Sequence, residues 1–334
     1  MNNTWQRRNV QIDGSSILVT GGCGLVGSTT IDLLLKNRSL ARLVILDNMT
    51  RGTLDNVREA IADPRVELVE GDIRDVATME RLSEGMDAVI HMATLRITAC
   101  AAEPREALTV MCDGSFNVLD AARKAGVKKV VTASSASIYG LADSFPTKED
   151  HHPYNNRTWY GATKVMLEGL LRSYFDMFGL PYVVLRYFNI YGPRMDIHGK
   201  YTEVLVRWME KLDAGERPVI LGDGLQTMDF VDVRDVARSN VLALSSDVTD
   251  RAYNIASGTE TSLIDLLTAL RRVMGREEIQ PQFEPARSVN PVPRRLADTT
   301  LAREELGFTA SISLEDGLRD LVEWWRKRRA EVAA

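Results

Sequence analysis

Ser16-Ile-Leu-Val-Thr-Gly-Gly-Cys-Gly-Leu-Val-Gly27 is the stretch on which the reading of this chain turns. Ile17 to Val19 is a short apolar run and predicts a buried strand. Gly21, Gly22, Gly24 and Gly27 follow, and Leu25, Val26, Ile31, Leu34 and Leu35 then recur at helical spacing as far as Lys36. Side chains at the glycines would block a tight turn, the approach of a pyrophosphate to backbone N–H groups, and close helix–strand packing. The N-terminus of the helix adds free donors and a partial positive charge for that pyrophosphate. A glycine cluster alone is a weak signal. Here it lies between a strand and a helix, and the next strand, Leu43-Val-Ile-Leu-Asp47, ends in a carboxylate. That spacing suits acceptance of hydrogen bonds from an adenosine ribose, so the stretch reads as a dinucleotide-binding turn.

Outward from this turn, strand and helix patterns alternate as a doubly wound parallel α/β sheet requires. Val66–Glu70, Asp87–His91, Lys129–Ser134 and Tyr182–Phe188 read as strands. Val76–Ser83, Glu103–Ala125 and Thr158–Phe178 read as helices. Beyond Asn189 the rhythm breaks. A helix over Thr202–Ala214, short strands at Val219–Leu221 and Asp229–Val231, and a helix from Val233 capped by Asp232 are expected there. A strand over Arg251–Ala256 and helices over Ser262–Met274 and Leu314–Val332 complete the chain. The fold class expected is a Rossmann-type sheet with a smaller α/β lobe. Residues 1–189 would form the dinucleotide-binding body, with 230–256 returning to it. Residues 190–229 and 257–334 would form the lobe that closes over the carboxyl ends of the strands.

With 334 residues the chain can bury one large core, or one core and a lesser one. A hydrophobic fraction of 45% and the lack of any low-complexity tract are those of an ordinary globular protein. The net charge of −5 gives no support for a nucleic acid or an anionic membrane as partner. The first residues lack the apolar run of a signal peptide, and no later run is long enough to span a bilayer, so a cytoplasmic protein is expected. Cys23, Cys100 and Cys112 are odd in number and scattered, which suggests neither a disulfide framework nor a zinc site. The closing Trp324-Trp-Arg-Lys-Arg-Arg329 reads as an amphipathic helix end with its aromatics inward.

Two further stretches carry chemistry. In Tyr160-Gly-Ala-Thr-Lys164 the phenol and the ammonium lie on one helical face, where a cation would lower the tyrosine pKa from its usual ~10. Tyr160 would then serve as general base or acid towards a hydroxyl. Ser134-Ser-Ala-Ser-Ile-Tyr-Gly140 closes the fifth strand and puts Ser135 at the carboxyl edge of the sheet, one βα unit before Tyr160. A shared site is the better reading of the two stretches together. His151 and His152, in the loop before Tyr160, have no carboxylate at metal-ligand spacing and read as solvated, so no metal site is expected.

At this point the sequence resembles the extended short-chain dehydrogenase/reductase family, in particular its nucleotide-sugar epimerases and dehydratases, of the UDP-glucose 4-epimerase kind. The resemblance runs from about Ile17 to Leu321. It rests on Thr20-Gly-Gly-Cys-Gly-Leu-Val-Gly27, Gly71-Asp-Ile73, His91-Met-Ala93, Ser134 to Gly140, Tyr160 to Lys164 and Arg186-Tyr-Phe-Asn-Ile-Tyr-Gly-Pro-Arg194. It implies NAD held by Gly21, Gly24, Leu25, Val26, Gly27, Asp47 and Asn48, with Asp72 and Ile73 by the adenine. Ala93 and Thr94 would lie along the cofactor, and Tyr160, Lys164 and Tyr187 towards the nicotinamide. It implies Ser135, Tyr160 and Lys164 as the catalytic set. Ser135, Asn189, Arg194, Gln226 and Arg287 would bind a nucleoside-diphosphate sugar, and a homodimer would form through the regions Glu103–Ala125 and Thr158–Phe178. Asp47, with no basic residue directly after it, favours NAD over NADP, because a 2′-phosphate beside it would be repelled.

The sequence also departs from the family pattern. Ala136 and Ser137 stand where dehydratases and decarboxylases place an acid, which weakens elimination. Met111 replaces the usual Asn before the fifth strand, Met228 replaces an Arg of the diphosphate segment, and Thr94-Leu-Arg-Ile-Thr98 replaces a run of small residues. The expected activity is therefore NAD-dependent epimerisation of a nucleoside-diphosphate sugar at C4 through a 4-keto intermediate. A dehydratase, decarboxylase or reductase on the same substrate class is the alternative. A dinucleotide-binding regulator without turnover is the reading of another class, and the intact Ser135, Tyr160 and Lys164 argue against it.

Overall fold

The computed structural model describes residues 10–36, 39–197, 203–286 and 292–333. Seven parallel strands form the main sheet: β1 (Ser16–Thr20), β2 (Arg42–Asp47), β3 (Val66–Glu70), β4 (Ala88–His91), β5 (Lys129–Ser135) and β6 (Tyr182–Tyr187), with β10 (Arg251–Ile255) at one edge. Their order is β10-β6-β5-β4-β1-β2-β3, so the winding reverses between β1 and β4, where such sheets open a crevice at the carboxyl ends of the strands. The inner strands β1, β2, β4, β5 and β6 are buried along nearly their whole length without alternation because both faces are covered. Leu43 and Ile45 point into one apolar cluster with Ile17, Val19 and Leu185, while Val44 and Leu46 point into the opposite one with Leu18, Val89 and Val184. The expected doubly wound α/β fold is the observed one.

The region expected as one helix over Glu103–Ala125 is interrupted. Short helices over Ile97–Ala102 and Pro104–Leu108 lead into a π-helical turn, Thr109–Gly114, before a regular helix, Ser115–Lys124. The wide turn brings Gly114 against Ile73, where an added Cβ would stand 2.7 Å from the isoleucine side chain.

Beyond β6 the chain builds two small sheets. β7 (Asn189–Tyr191) pairs with β9 (Thr227–Asp232), which pairs with β11 (Glu260–Ser262). β8 (Val219–Leu221) pairs with β12 (Gln282–Glu284). A third apolar cluster holds this part together through Trp208, Leu212, Leu266, Leu270, Leu318 and Trp325. Trp325 is buried, and Arg329 lies over its ring at 4.8 Å, so the C-terminal helix Leu314–Ala333 turns its aromatics inward as its pattern predicted. The helix expected from Thr202 is observed from Val204, Thr202 itself lying outside the described residues.

Candidate active site

The glycine turn is fixed by sterics. Gly21 has φ +70°, and a Cβ there would meet the Ala93 backbone nitrogen at 2.7 Å. A Cβ on Gly27 would stand 2.4 Å from the Gly21 carbonyl oxygen. At Gly24 the nearest atom to an added Cβ is that same carbonyl oxygen, at 3.4 Å, so the space above the first turn of helix α1 (Leu25–Lys36) is open. Leu25 and Val26 form that turn and are half-buried. Asp47, at the end of β2, is 8% exposed. Its oxygens accept the backbone N–H groups of Cys23 and Met49, both at 2.9 Å, and burial raises its pKa despite these bonds. Asn48 donates to Asp72 at 3.1 Å, and Arg74 holds Asp72 ionised, with its pKa down at about 2. Ile73 is buried, and its carbonyl accepts from Asn117. An open cradle of backbone N–H groups with a fixed carboxylate at the end of the next strand fits a dinucleotide.

Across the winding reversal, β4 ends in His91. Its ring lies between the Thr20 hydroxyl at 2.8 Å and the Ser115 hydroxyl at 3.0 Å, and burial lowers its pKa to about 3. Ala93 and Thr94 follow, half-buried in the crevice, and Ala93 donates its N–H to Thr20 at 3.4 Å. Met111, in the π-helical turn, accepts from Cys100 and Thr163 at 3.5 Å each and from Thr94 at 3.9 Å. A polarisable thioether thus accepts three weak contacts where the family pattern has an amide.

Ser135 is the last residue of β5, and its hydroxyl caps the following short turn by accepting from Ser137 at 3.1 Å. Tyr160 enters from the first turn of the helix Trp159–Phe178, which Thr158 caps. The Ser135 and Thr94 hydroxyls are hydrogen-bonding neighbours of the Tyr160 phenol. Lys164 is buried one turn on. Its ammonium donates to the Ala133 carbonyl at 2.8 Å and lies 5.7 Å from the centre of the Tyr160 ring.

The expectation that Lys164 lowers the Tyr160 pKa is corrected. Burial raises the phenol pKa, and the bonds to Ser135 and Thr94 and the charge of Arg51 offset only part of that. Lys164 is itself pushed down to about 8 by burial, and its ammonium is committed to a carbonyl rather than to the phenol oxygen. Tyr187 is buried, with its hydroxyl donating to Asn240 at 2.7 Å.

The substrate-binding candidates are more scattered. Asn189 donates to the Asp229 carbonyl at 3.3 Å, and Gln226 to the Leu221 carbonyl at 2.9 Å. Arg194, at φ +74°, pairs with Asp32 of α1 at 2.7 Å, and its other terminal nitrogen is buried with no partner among the described residues. Arg287 lies outside the described residues. The loop before Tyr160 folds Asp143 onto both histidines, at 2.9 Å from His151 and 3.3 Å from His152, a neighbour that their spacing in sequence did not disclose. A cavity of about 410 Å³ opens near these histidines, with Glu168, Arg172 and Arg186 among its walls and neither Ser135 nor Tyr160.

Sequence reasoning missed two cations whose charge is coupled to the Tyr160 phenol: Arg51 from the loop after β2, and Arg295. Arg295 follows the undescribed stretch and carries no motif. Only its burial, at 8% exposure, and its bond to the Ala136 carbonyl reveal it.

Residues 17–256 match the model of the NAD dependent epimerase/dehydratase family. The chain belongs to that family. It is 35% identical over 314 residues to UDP-glucose 4-epimerase of Mycolicibacterium smegmatis, covering 93% of this chain and 98% of that one. Among solved structures it is similar to UDP-glucose 4-epimerase from Thermotoga maritima with UDP-glucose (TM-score 0.87, 33% identity, covering 94% of this chain and 99% of that one). It is also similar to UDP-glucuronic acid 4-epimerase from Bacillus cereus in complex with UDP-glucuronic acid and NAD (TM-score 0.85, 27% identity, covering 94% and 99%). NAD is the family's cofactor, and the glycine cradle and Asp47 of this chain fit such a group.

Proposed function

We propose that this family member is an NAD-dependent 4-epimerase of a nucleoside-diphosphate sugar. The observation that carries the reading is the Tyr160 phenol beside the Ser135 hydroxyl at the carboxyl end of the sheet, with no carboxyl group at Ala136 or Ser137. When bound, NAD supplies reversible hydride acceptance at the reacting carbon. Tyr160 moves the proton of the C4 hydroxyl, and Ser135 holds that oxygen in place. Lys164 fixes the end of β5 through Ala133 and keeps a positive charge under the Tyr160 ring. Inversion requires the keto sugar to turn over while its nucleotide stays anchored. Asn189, Gln226, Arg194 and Arg287 are the groups proposed for that anchor. Elimination from C5–C6 would need a base at C5 and an acid at the departing oxygen, and the residues after Ser135 offer neither.

The test is incubation with UDP-, GDP-, CDP- and dTDP-sugars while mass and configuration are followed together. A stereoisomer of unchanged mass is expected. Loss of water or carbon dioxide from the true substrate would overturn epimerisation in favour of the dehydratase or decarboxylase alternative.

Two further features belong to the same reading. Phe116, Met166, Met177 and Phe178 are exposed apolar side chains on the helices Ser115–Lys124 and Trp159–Phe178, which supports a homodimer through these helices, checked by light-scattering mass. The three cysteines are free and buried, which suits a reducing, cytoplasmic setting. No helix among the described residues is long and apolar enough to cross a membrane, and the charge of −5 offers nucleic acid no attraction.

A further inference from the structure

We propose that Arg295 recognises a carboxylate on the sugar, so that the substrate is a nucleoside-diphosphate uronic acid rather than a neutral hexose. The inference rests on Ser135 and Tyr160 marking the sugar end of the site. The segment that carries Arg295 runs beside β9, with the Arg295 N–H donating to the Thr227 carbonyl at 2.9 Å. Its neighbour Arg294 takes the other side and grips Glu260 with two bonds, at 2.7 and 2.9 Å. Arg295 turns inward, and its guanidinium donates to the Ala136 carbonyl at 2.6 Å. No carboxylate among the described residues lies within ion-pair distance of it.

Lys129 and Lys164 are also buried against carbonyls alone, but an amine can shed its proton there and a guanidinium keeps its charge. Arg186, buried to the same degree, is held by Glu168 at 2.7 and 3.0 Å and also donates to Tyr139. A guanidinium has five N–H donors, and a buried charge is tolerated where an opposite charge meets it. For Arg295 the described residues supply one carbonyl. Neither Ala136, whose carbonyl it meets, nor Ser137 carries an acid. With Ala136 and Ser137 there, the charge is left for a ligand. Its place, bonded to the residue after Ser135 and with its charge felt by the Tyr160 phenol, is at the reacting sugar and not at the nucleotide. The planar fork of a guanidinium matches a carboxylate with two parallel bonds.

Titration calorimetry on the NAD-loaded protein tests this with two matched pairs, UDP-glucose against UDP-glucuronate and dTDP-glucose against dTDP-glucuronate. Within a recognised pair the uronate should bind roughly 10- to 100-fold tighter, the range expected of a charge-assisted hydrogen-bonded contact. Arg295→Met should bring that ratio close to one, and Arg295→Lys should restore part of it. Uronates that bind no tighter than their neutral partners in both pairs overturn the assignment, and this measurement on the unmodified protein depends on no variant. So does a ratio that survives Arg295→Met, since a residue that only braces Ala136 would weaken both sugars alike. NAD content and thermal midpoint check that the variants fold. Turnover separates this inference from the epimerase reading. A preferred uronate that loses carbon dioxide sinks epimerisation and leaves Arg295 in place, whereas inversion of neutral sugars without uronate preference does the reverse.

Discussion

Tyr160 lies where two opposing influences meet. Burial favours the neutral phenol, whereas hydroxyl donors and cations around it favour the phenolate. Burial outweighs the rest, so the phenol is held towards its protonated form. Tyr160→Phe keeps the ring and removes the proton, so NAD content and thermal midpoint should hold while turnover falls by roughly 10²–10⁴-fold. Near wild-type turnover on the true substrate would remove Tyr160 from the mechanism. Ser135, Tyr160 and Lys164 were legible in the sequence because a strand end and a helical spacing are local patterns. The electrostatic consequence was not. Four residues along a helix predict a shared face, but only the fold shows that the ammonium is committed to Ala133. Arg51 and Arg295 come from distant chain segments, and Asp143 meets His151 and His152 within one irregular loop, so no periodicity announces any of them.

Elements were legible to the degree that they are regular. The strands of the main sheet are short apolar runs between turn residues, and their pattern placed each of them. The glycine turn was also readable, because its steric demands fall on a residue type. Gly27 permits the sharpest test of those demands. A methyl group there would press on the Gly21 carbonyl at 2.4 Å and the Gly22 Cα at 2.7 Å, and both are backbone atoms that no rotamer change can move. Gly27→Ala should therefore displace the first turn of α1 and lower bound NAD sharply, while the circular dichroism of the sheet persists. Wild-type NAD occupancy in that variant would show the cradle to be looser than its geometry. The broken helical region before Lys124 was not legible. Its apolar spacing is compatible with one continuous helix, and the break follows from tertiary packing of Gly114 on Ile73 and of Met111 among Thr94, Cys100 and Thr163.

At the scale of the whole molecule, buried polar groups tie the sheet to the material around it. Asp229 is fully buried and accepts from Ser257, Gly258 and Ala297, and Asp235 accepts from Ser311 and Ile312, so one short stretch pins three later segments. These long-range ties were invisible in sequence beyond the capping role of Asp232. His91 belongs with them, because it joins β1 through Thr20 to the helix Ser115–Lys124 through Ser115. Its pKa in the fold is about 3, against an ordinary value of 6.5. Between those values the unfolded chain binds a proton that the native protein does not, so stability rises with pH across this window and is lost on acidification. From pH 7 to pH 4 the loss from this one group is about 3 kcal/mol. Raised carboxylates such as Asp47 and Asp229 act in the opposite sense over the same range, which is why the comparison must be with a variant and not with absolute stability. His91→Asn removes the titration and leaves those carboxylates in place. Urea midpoints measured at several pH values from 7 to 4 should fall steeply for the native protein and more gently for the variant, even if the variant starts lower. Parallel acid limbs would mean that His91 is accessible to protons in the fold, and the tie between β1, β4 and the helix beside them would then be weaker than its two short hydrogen bonds imply.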